Sequence, residues 1–139
     1  MTLTFILTSA PDAAEIEALE GALTGYFTGL GADAKEQSLA VLARDGQGAV
    51  VAGLAAKTGW DQLYIRTLYV ADHLRGQGIG QRLIGDVEAE GRRRGCVVSW
   101  LMCSSAEAKR FYERCGYTCL GEAERRPPNP PRWFMKKAL

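Results

Sequence analysis

The chain has 139 residues, 47% of them hydrophobic and 24% charged, with a formal net charge of +1. That length suits a single domain, residues 1–139, built around one core. The near-neutral balance gives no general pull toward nucleic acid or an anionic membrane surface. No apolar run reaches the roughly 20 residues of a membrane span, and the N-terminus lacks the basic start of a signal peptide, so a cytoplasmic protein is expected.

In chain order, Thr4–Thr8 reads as a short first strand. Ile16, Leu19, Leu23, Tyr26, Phe27 and Leu30 recur at helical spacing and predict an amphipathic helix, started by Pro11 and Asp12 and stopped at Gly31. Apolar runs at 38–44 and 49–57 flank the turn sequence DGQG and predict a hairpin. TGWD at 58–61 marks another turn, and 62–71 follows as a long strand. Its apolar residues do not alternate cleanly, which predicts a central strand covered on both faces. A helix is expected over 78–94, a buried strand over 96–103, a helix over 105–116, a strand over 117–121 and a last strand over 132–139. The order β-α-β-β-β-α-β-α-β-β predicts a mixed α/β sheet of six to seven strands with helices on both faces.

The four cysteines, Cys96, Cys103, Cys115 and Cys119, contain no CxxC pair, and His73 is the single histidine. This is not metal-ligand spacing, so no metal is expected. The cysteines read as small buried hydrophobes, with a reactive thiol at Cys103 or Cys115 as the alternative. The basic runs GRRRG at 91–95 and ERRPPNPPR at 124–132 read as solvated ends of a helix and a loop.

The most informative stretch is RGQGIG at 75–80, which joins a strand to a helix. The first N–H groups of a helix have no partner within it, and the helix dipole adds partial positive charge. Glycines let an anion reach those groups without meeting a side chain. A phosphate or pyrophosphate is the expected ligand, with a turn that binds nothing as the plain alternative. The P-loop pattern is absent, and a dinucleotide GxGxxG fails because position 81 is Gln81.

Arg75-Gly76-Gln77-Gly78-Ile79-Gly80 fits [QR]xxGx[GA] after the strand segment LYV, and SAEAKRFYERCGY follows some 30 residues on. Together these resemble the GNAT superfamily of N-acetyltransferases. The likeness runs from about residue 39 to the end. It implies a splayed central sheet and acetyl-CoA as acyl donor. The strand before the loop would carry a bulge, and the backbone of its segment Leu68, Tyr69 and Val70 would hold the pantetheine arm and the thioester carbonyl. Arg75, Gly76, Gln77, Gly78, Ile79, Gly80 and Gln81 would cradle the pyrophosphate. Tyr112 would be the general acid and the N–H of Val70 the oxyanion donor.

The sequence departs from the family pattern twice. The asparagine of the second motif is replaced by Ser105, whose hydroxyl has less reach toward pantetheine. Arg66 stands where many relatives carry a glutamate base, and arginine is no base. Deprotonation of the acceptor would then run through water and backbone carbonyls, Asp61 or His73. Arg66 could instead attract an anionic group on the acceptor, with Trp60, Tyr64 and Trp133 walling its pocket. The expected activity is acetyl transfer to an amine of a small molecule or peptide in a ternary complex. The rivals are a non-catalytic acyl-CoA-binding module and a nucleotide-binding domain. Similar proteins are often homodimers.

Overall fold

The computed structural model describes residues 1–139 and divides into two compact units, residues 1–34 and 35–139. In the first, helix α1 spans Ala13–Gly29, and the Asp12 carboxylate accepts from the Ala14 N–H at 2.9 Å. The helix stops at Gly31 (φ 81°), whose N–H donates to the Thr28 carbonyl at 2.9 Å. These are the start and stop the sequence predicts. The expected apolar face is weak. Ala13, Ala14, Ala18, Gly21, Ala22 and Gly25 fill many of the remaining positions, so the two sides differ little in polarity, and no residue of α1 is buried. No strand forms over residues 4–8. A short apolar run favours extended backbone but does not specify a main-chain partner.

The second unit is an open six-stranded sheet in the order β1-β2-β3-β4-β6-β5. The strands are β1 Gln37–Arg44, β2 Val50–Gly59, β3 Gln62–Val70, β4 Val98–Cys103, β5 Thr118–Ala123 and β6 Arg132–Ala138. All pairs are antiparallel except β3 with β4. Helix α2 (Ile79–Arg93) connects β3 to β4 as the crossover that a parallel pair requires. Helix α3 (Ala106–Arg114) follows β4.

Both helices lie on one face of the sheet. Leu54, Leu63, Leu101 and Met135 from four strands, and Leu83, Ile84 and Val87 from α2, share a single buried cluster with Tyr112 of α3 and Tyr117. Each such aliphatic side chain contributes about 1.5–3 kcal/mol of burial. The cluster ties the ends of β3, α2 and α3 into one rigid block.

The irregular alternation of β3 has a local cause. Ile65 pairs with Ala56 and Thr67 with Ala55, so Arg66 is a surplus residue, a β-bulge. Leu63 and Ile65 before it, and Leu68 and Val70 after it, all take the helix-covered side. The phase slip comes from the bulge and replaces the expectation of coverage on both faces.

Candidate functional site

The parallel ladder between β3 and β4 runs only from Gln62–Val98 to Ile65–Leu101, although β3 continues to Val70 and β4 to Cys103. The two strands part immediately before the bulge. On its other side β3 stays paired, Leu54 with Leu68 and Ala52 with Val70. The Ala71 N–H donates to the Val51 carbonyl at 2.9 Å, which makes Ala52–Val70 a non-hydrogen-bonded pair and, two residues back, Leu54–Leu68 as well. The main-chain groups of Leu68 and Val70 therefore point away from β2, into the gap that β4 has left.

Beyond Val70 a 3-10 turn (Asp72–Leu74) leads into the glycine loop. The loop is anchored by Arg75, whose Nε donates to the Val70 carbonyl at 2.9 Å while Nη1 pairs with Asp72 at 2.9 Å. Gly78 is the N-cap of α2 with φ 81° and offers no side-chain cap. The first intrahelical bond runs from the Arg82 N–H to the Gly78 carbonyl at 3.1 Å. The N–H groups of Ile79, Gly80 and Gln81 thus have no partner within the helix.

The three glycines do different work. Gly76 (φ 74°) and Gly78 take left-handed backbone that side chains disfavour, with open space where a Cβ would stand. At Gly80 a Cβ would meet the Phe111 ring at 3.0 and 3.1 Å. Gly80 therefore lets α2 and α3 approach where any side chain would press on that ring.

Helix α3 supplies the opposite wall. Ser105 is its N-cap, the hydroxyl oxygen accepting from the Ala108 N–H at 3.0 Å. This leaves the hydroxyl proton and one lone pair for a ligand. Tyr112 is 8% exposed, edge-on to Phe111 at 5.2 Å and to Tyr117 at 5.8 Å between ring centres. Burial, reinforced by the neighbouring Cys103 and Cys115, pushes its phenol up to about 12.

These parts enclose one cavity of about 580 Å³. Of the residues the sequence nominated for the acyl carrier, Leu68, Tyr69, Val70, Arg75, Gly76, Gly78, Ile79, Gly80, Gln81, Ser105 and Tyr112 line it. Gln77 turns aside and donates from Nε2 to the His73 carbonyl at 3.3 Å. Sequence reasoning missed Leu74, Glu107, Ala108, Phe111 and Arg114, which also line it. Helical spacing from Tyr112 back to Ala108 was the available signal for one of them.

The four acceptor-side nominees do not converge. Tyr64 stacks on Trp100 at 4.2 Å between centres, on the sheet face away from α2 and α3. Arg66 is exposed at the bulge. Trp133 pairs with Cys103, packs against the buried cluster and has the Lys109 ammonium 5.7 Å over its ring. Trp60 sits in the two-residue turn Trp60-Asp61, where φ is 53° and 59°. That turn is at the far end of β3, about 30 Å from Val70 at strand rise. Trp60 therefore cannot wall this site, and Asp61 cannot act as its base. Burial pushes the thiols of Cys96, Cys103 and Cys115 up, away from the nucleophilic thiolate. No group of His, Cys, Asp and Glu is arranged to hold a metal ion.

The acetyltransferase (GNAT) family model matches residues 8–117. Acetyltransferase Atu2258 of Agrobacterium fabrum is 31% identical over 119 residues, 86% of this chain and 87% of that protein. The blasticidin-S acetyltransferase of Streptomyces morookaense is 32% identical over 94 residues, 67% and 69% of the two chains. A crystal structure of an Agrobacterium tumefaciens protein superposes with a TM-score of 0.91 at 28% identity, covering 99% of this chain and 100% of that one. The fold also appears, at 23% identity and a TM-score of 0.63 over 73% and 72% of the chains, in an aminoglycoside 6′-N-acetyltransferase complexed with coenzyme A. The splayed strands, the uncapped start of α2 and the Tyr112 helix thus agree with descent: the chain belongs to the GNAT acetyltransferase family.

Proposed function

We propose that this chain moves the acetyl group of acetyl-CoA to an amine of a small molecule or peptide by direct attack within a ternary complex. The observation that carries the reading is the meeting, in one cavity, of three things: the main-chain groups of Leu68 and the N–H of Val70 facing the gap, the uncapped N-terminus of α2, and the Tyr112 hydroxyl-bearing ring. Acetyl-CoA fits this donor set. The N–H groups from Gly76 to Gln81 offer hydrogen bonds and partial positive charge to a pyrophosphate. The Val70 N–H faces the gap where an acyl carbonyl would lie and stabilises negative charge developing on its oxygen. Leu74, Ile79 and Phe111 supply apolar contact for the arm.

Tyr112 donates to the sulfur as the carbon–sulfur bond breaks. A free thiol ionises at ~8.5, well below the buried phenol, so full proton transfer is uphill before charge builds on sulfur. Tyr112 is consequently a hydrogen-bond donor throughout the neutral and mildly alkaline range, and its proton follows as charge builds on sulfur. With Asp61 remote, the amine loses its proton to water near the bulge or to His73. The small-molecule acceptor of the Streptomyces relative supports an amine of similar size.

A screen of amines that reads released thiol tests this. Turnover with at least one amine, abolished by Gly78→Asp and slowed by Tyr112→Phe, is the expected result. One observation favours the second reading, an acyl-CoA-binding module without turnover: a guanidinium at the bulge instead of a carboxylate. Tight acetyl-CoA binding with no thiol release over the whole panel would decide for it.

A further inference from the structure

Behind the cavity lies a buried polar cluster that the proposed chemistry does not use. Glu88 on α2 is 4% exposed, yet both its oxygens are engaged. Oε1 accepts from the Lys137 ammonium at 2.9 Å and Oε2 from the Tyr117 hydroxyl at 2.9 Å. The Tyr117 hydroxyl has one proton and spends it on Glu88, so the 2.7 Å contact with Ser99 must be a donation from Ser99 Oγ. Burial pushes the Tyr117 phenol up, which keeps that proton in place.

Lys137 makes a second bond, to the carbonyl of Cys115 at 2.9 Å. Cys115 is the C-cap of α3. The same turn is closed by the Tyr117 N–H donating to the Tyr112 carbonyl at 3.0 Å and the Gly116 N–H to the Glu113 carbonyl at 3.0 Å, with Gly116 at φ 97°. The Tyr112 main chain is thus held by Tyr117, and its ring touches the Tyr117 ring edge-on. From this side Tyr112 meets Tyr117 and the α3 C-cap; Glu88 holds the Tyr117 hydroxyl and Lys137 holds the Cys115 carbonyl of the C-cap. A buried ion pair is weak evidence for stability, because apolar replacements often match it. What it fixes here is geometry.

We infer that Glu88 and Lys137 are positioning residues that hold the last turn of α3, and with it the Tyr112 hydroxyl, against the acyl cavity. This rests on the acetyl-transfer reading for its kinetic arm, so a second arm is independent of turnover. In steady-state assays Lys137→Met should lower kcat about ten-fold, while acetyl-CoA affinity by calorimetry changes less than about two-fold. Lys137→Arg, which keeps the charge and the donors, should restore most of the rate. In a Tyr112→Phe background Lys137→Met should cost less than about two-fold, because its effect acts through the missing hydroxyl. Losses that multiply in the double variant, or a loss confined to KM, would overturn the inference.

The second arm uses protein labelled with 13C-tyrosine, the Tyr112 resonance being assigned from Tyr112→Phe. That resonance should shift and broaden in Lys137→Met and recover in Lys137→Arg. An unmoved Tyr112 signal overturns the inference whether or not the protein turns over. Absence of turnover in the wild type, with the signal responding as expected, overturns the acetyl-transfer reading alone. Should Lys137→Met fail to fold, Glu88→Leu with Lys137→Met removes both charges together, and the same two readouts apply.

Discussion

Helices α2 and α3 both open onto the cavity, and they begin in opposite ways. Helix α3 starts at Ser105, whose side chain satisfies the Ala108 N–H, and carries Glu107 in its first turn. Helix α2 starts at Gly78 in left-handed backbone, with no side-chain cap and no acidic residue in its first turn. The first helix start has one of its free N–H groups satisfied, and its dipole offset, from within the chain. The second lacks both of the chain's own means of neutralising a positive helix end. On the reading proposed above, the contrast teaches that an anion site is written as an omission: the chain withholds the cap where the pyrophosphate would supply it.

The largest expected effect erases the contrast. Gly78→Asp gives α2 an acidic N-cap of its own, in a left-handed conformation and beside the anion. Acetyl-CoA affinity should fall at least about a hundred-fold by calorimetry, near 2.7 kcal/mol; an unchanged affinity would place the pyrophosphate elsewhere. Tyr112→Phe comes next, removing the donor from the α3 wall but no contact from the α2 side. A fall in kcat of about ten- to a hundred-fold with unaltered acetyl-CoA affinity is expected, and an equal loss in both parameters would contradict the division of labour.

Gly80→Val tests the seam between the helices. Its branched side chain must displace the Phe111 ring, for which urea unfolding should report a loss of about 1–3 kcal/mol. Ser105→Ala is the smallest change. It removes the cap that α2 never had, costing about 1 kcal/mol of stability, with acetyl-CoA affinity altered less than about three-fold if the hydroxyl acts mainly as a cap. The pH profile sharpens the picture further. Because burial holds the Tyr112 phenol near 12, its proton stays bound as pH rises from 7 to 10, and saturated turnover should show no alkaline decline from this group in that window.

The local signals were legible. The helix starts and stops at Asp12, Gly31 and Ser105, the strand boundaries around DGQG, and the glycine loop all follow from residue types that act over three or four positions. Most of the cavity lining followed too, because the loop and α3 carry distinctive runs. Four things were out of reach. The resemblance implies a bulge in this strand, but its place at Arg66 depends on the partner strand, since a surplus residue exists only relative to Ala55 and Ala56. The reason for Gly80 is a ring 31 positions away. The distance of Trp60 from the site follows from the direction of β3. The Glu88–Lys137 pair joins residues 49 positions apart and leaves no periodic trace in either segment.

The bulge at Arg66 carries one more consequence. Remove that residue and β3 regains an unbroken ladder against β2, with its next N–H groups level with the carbonyls of β4. The two strands could then pair further toward their ends, exchanging the gap for ladder hydrogen bonds, so in this strand a single surplus residue sets rigidity against an open cavity.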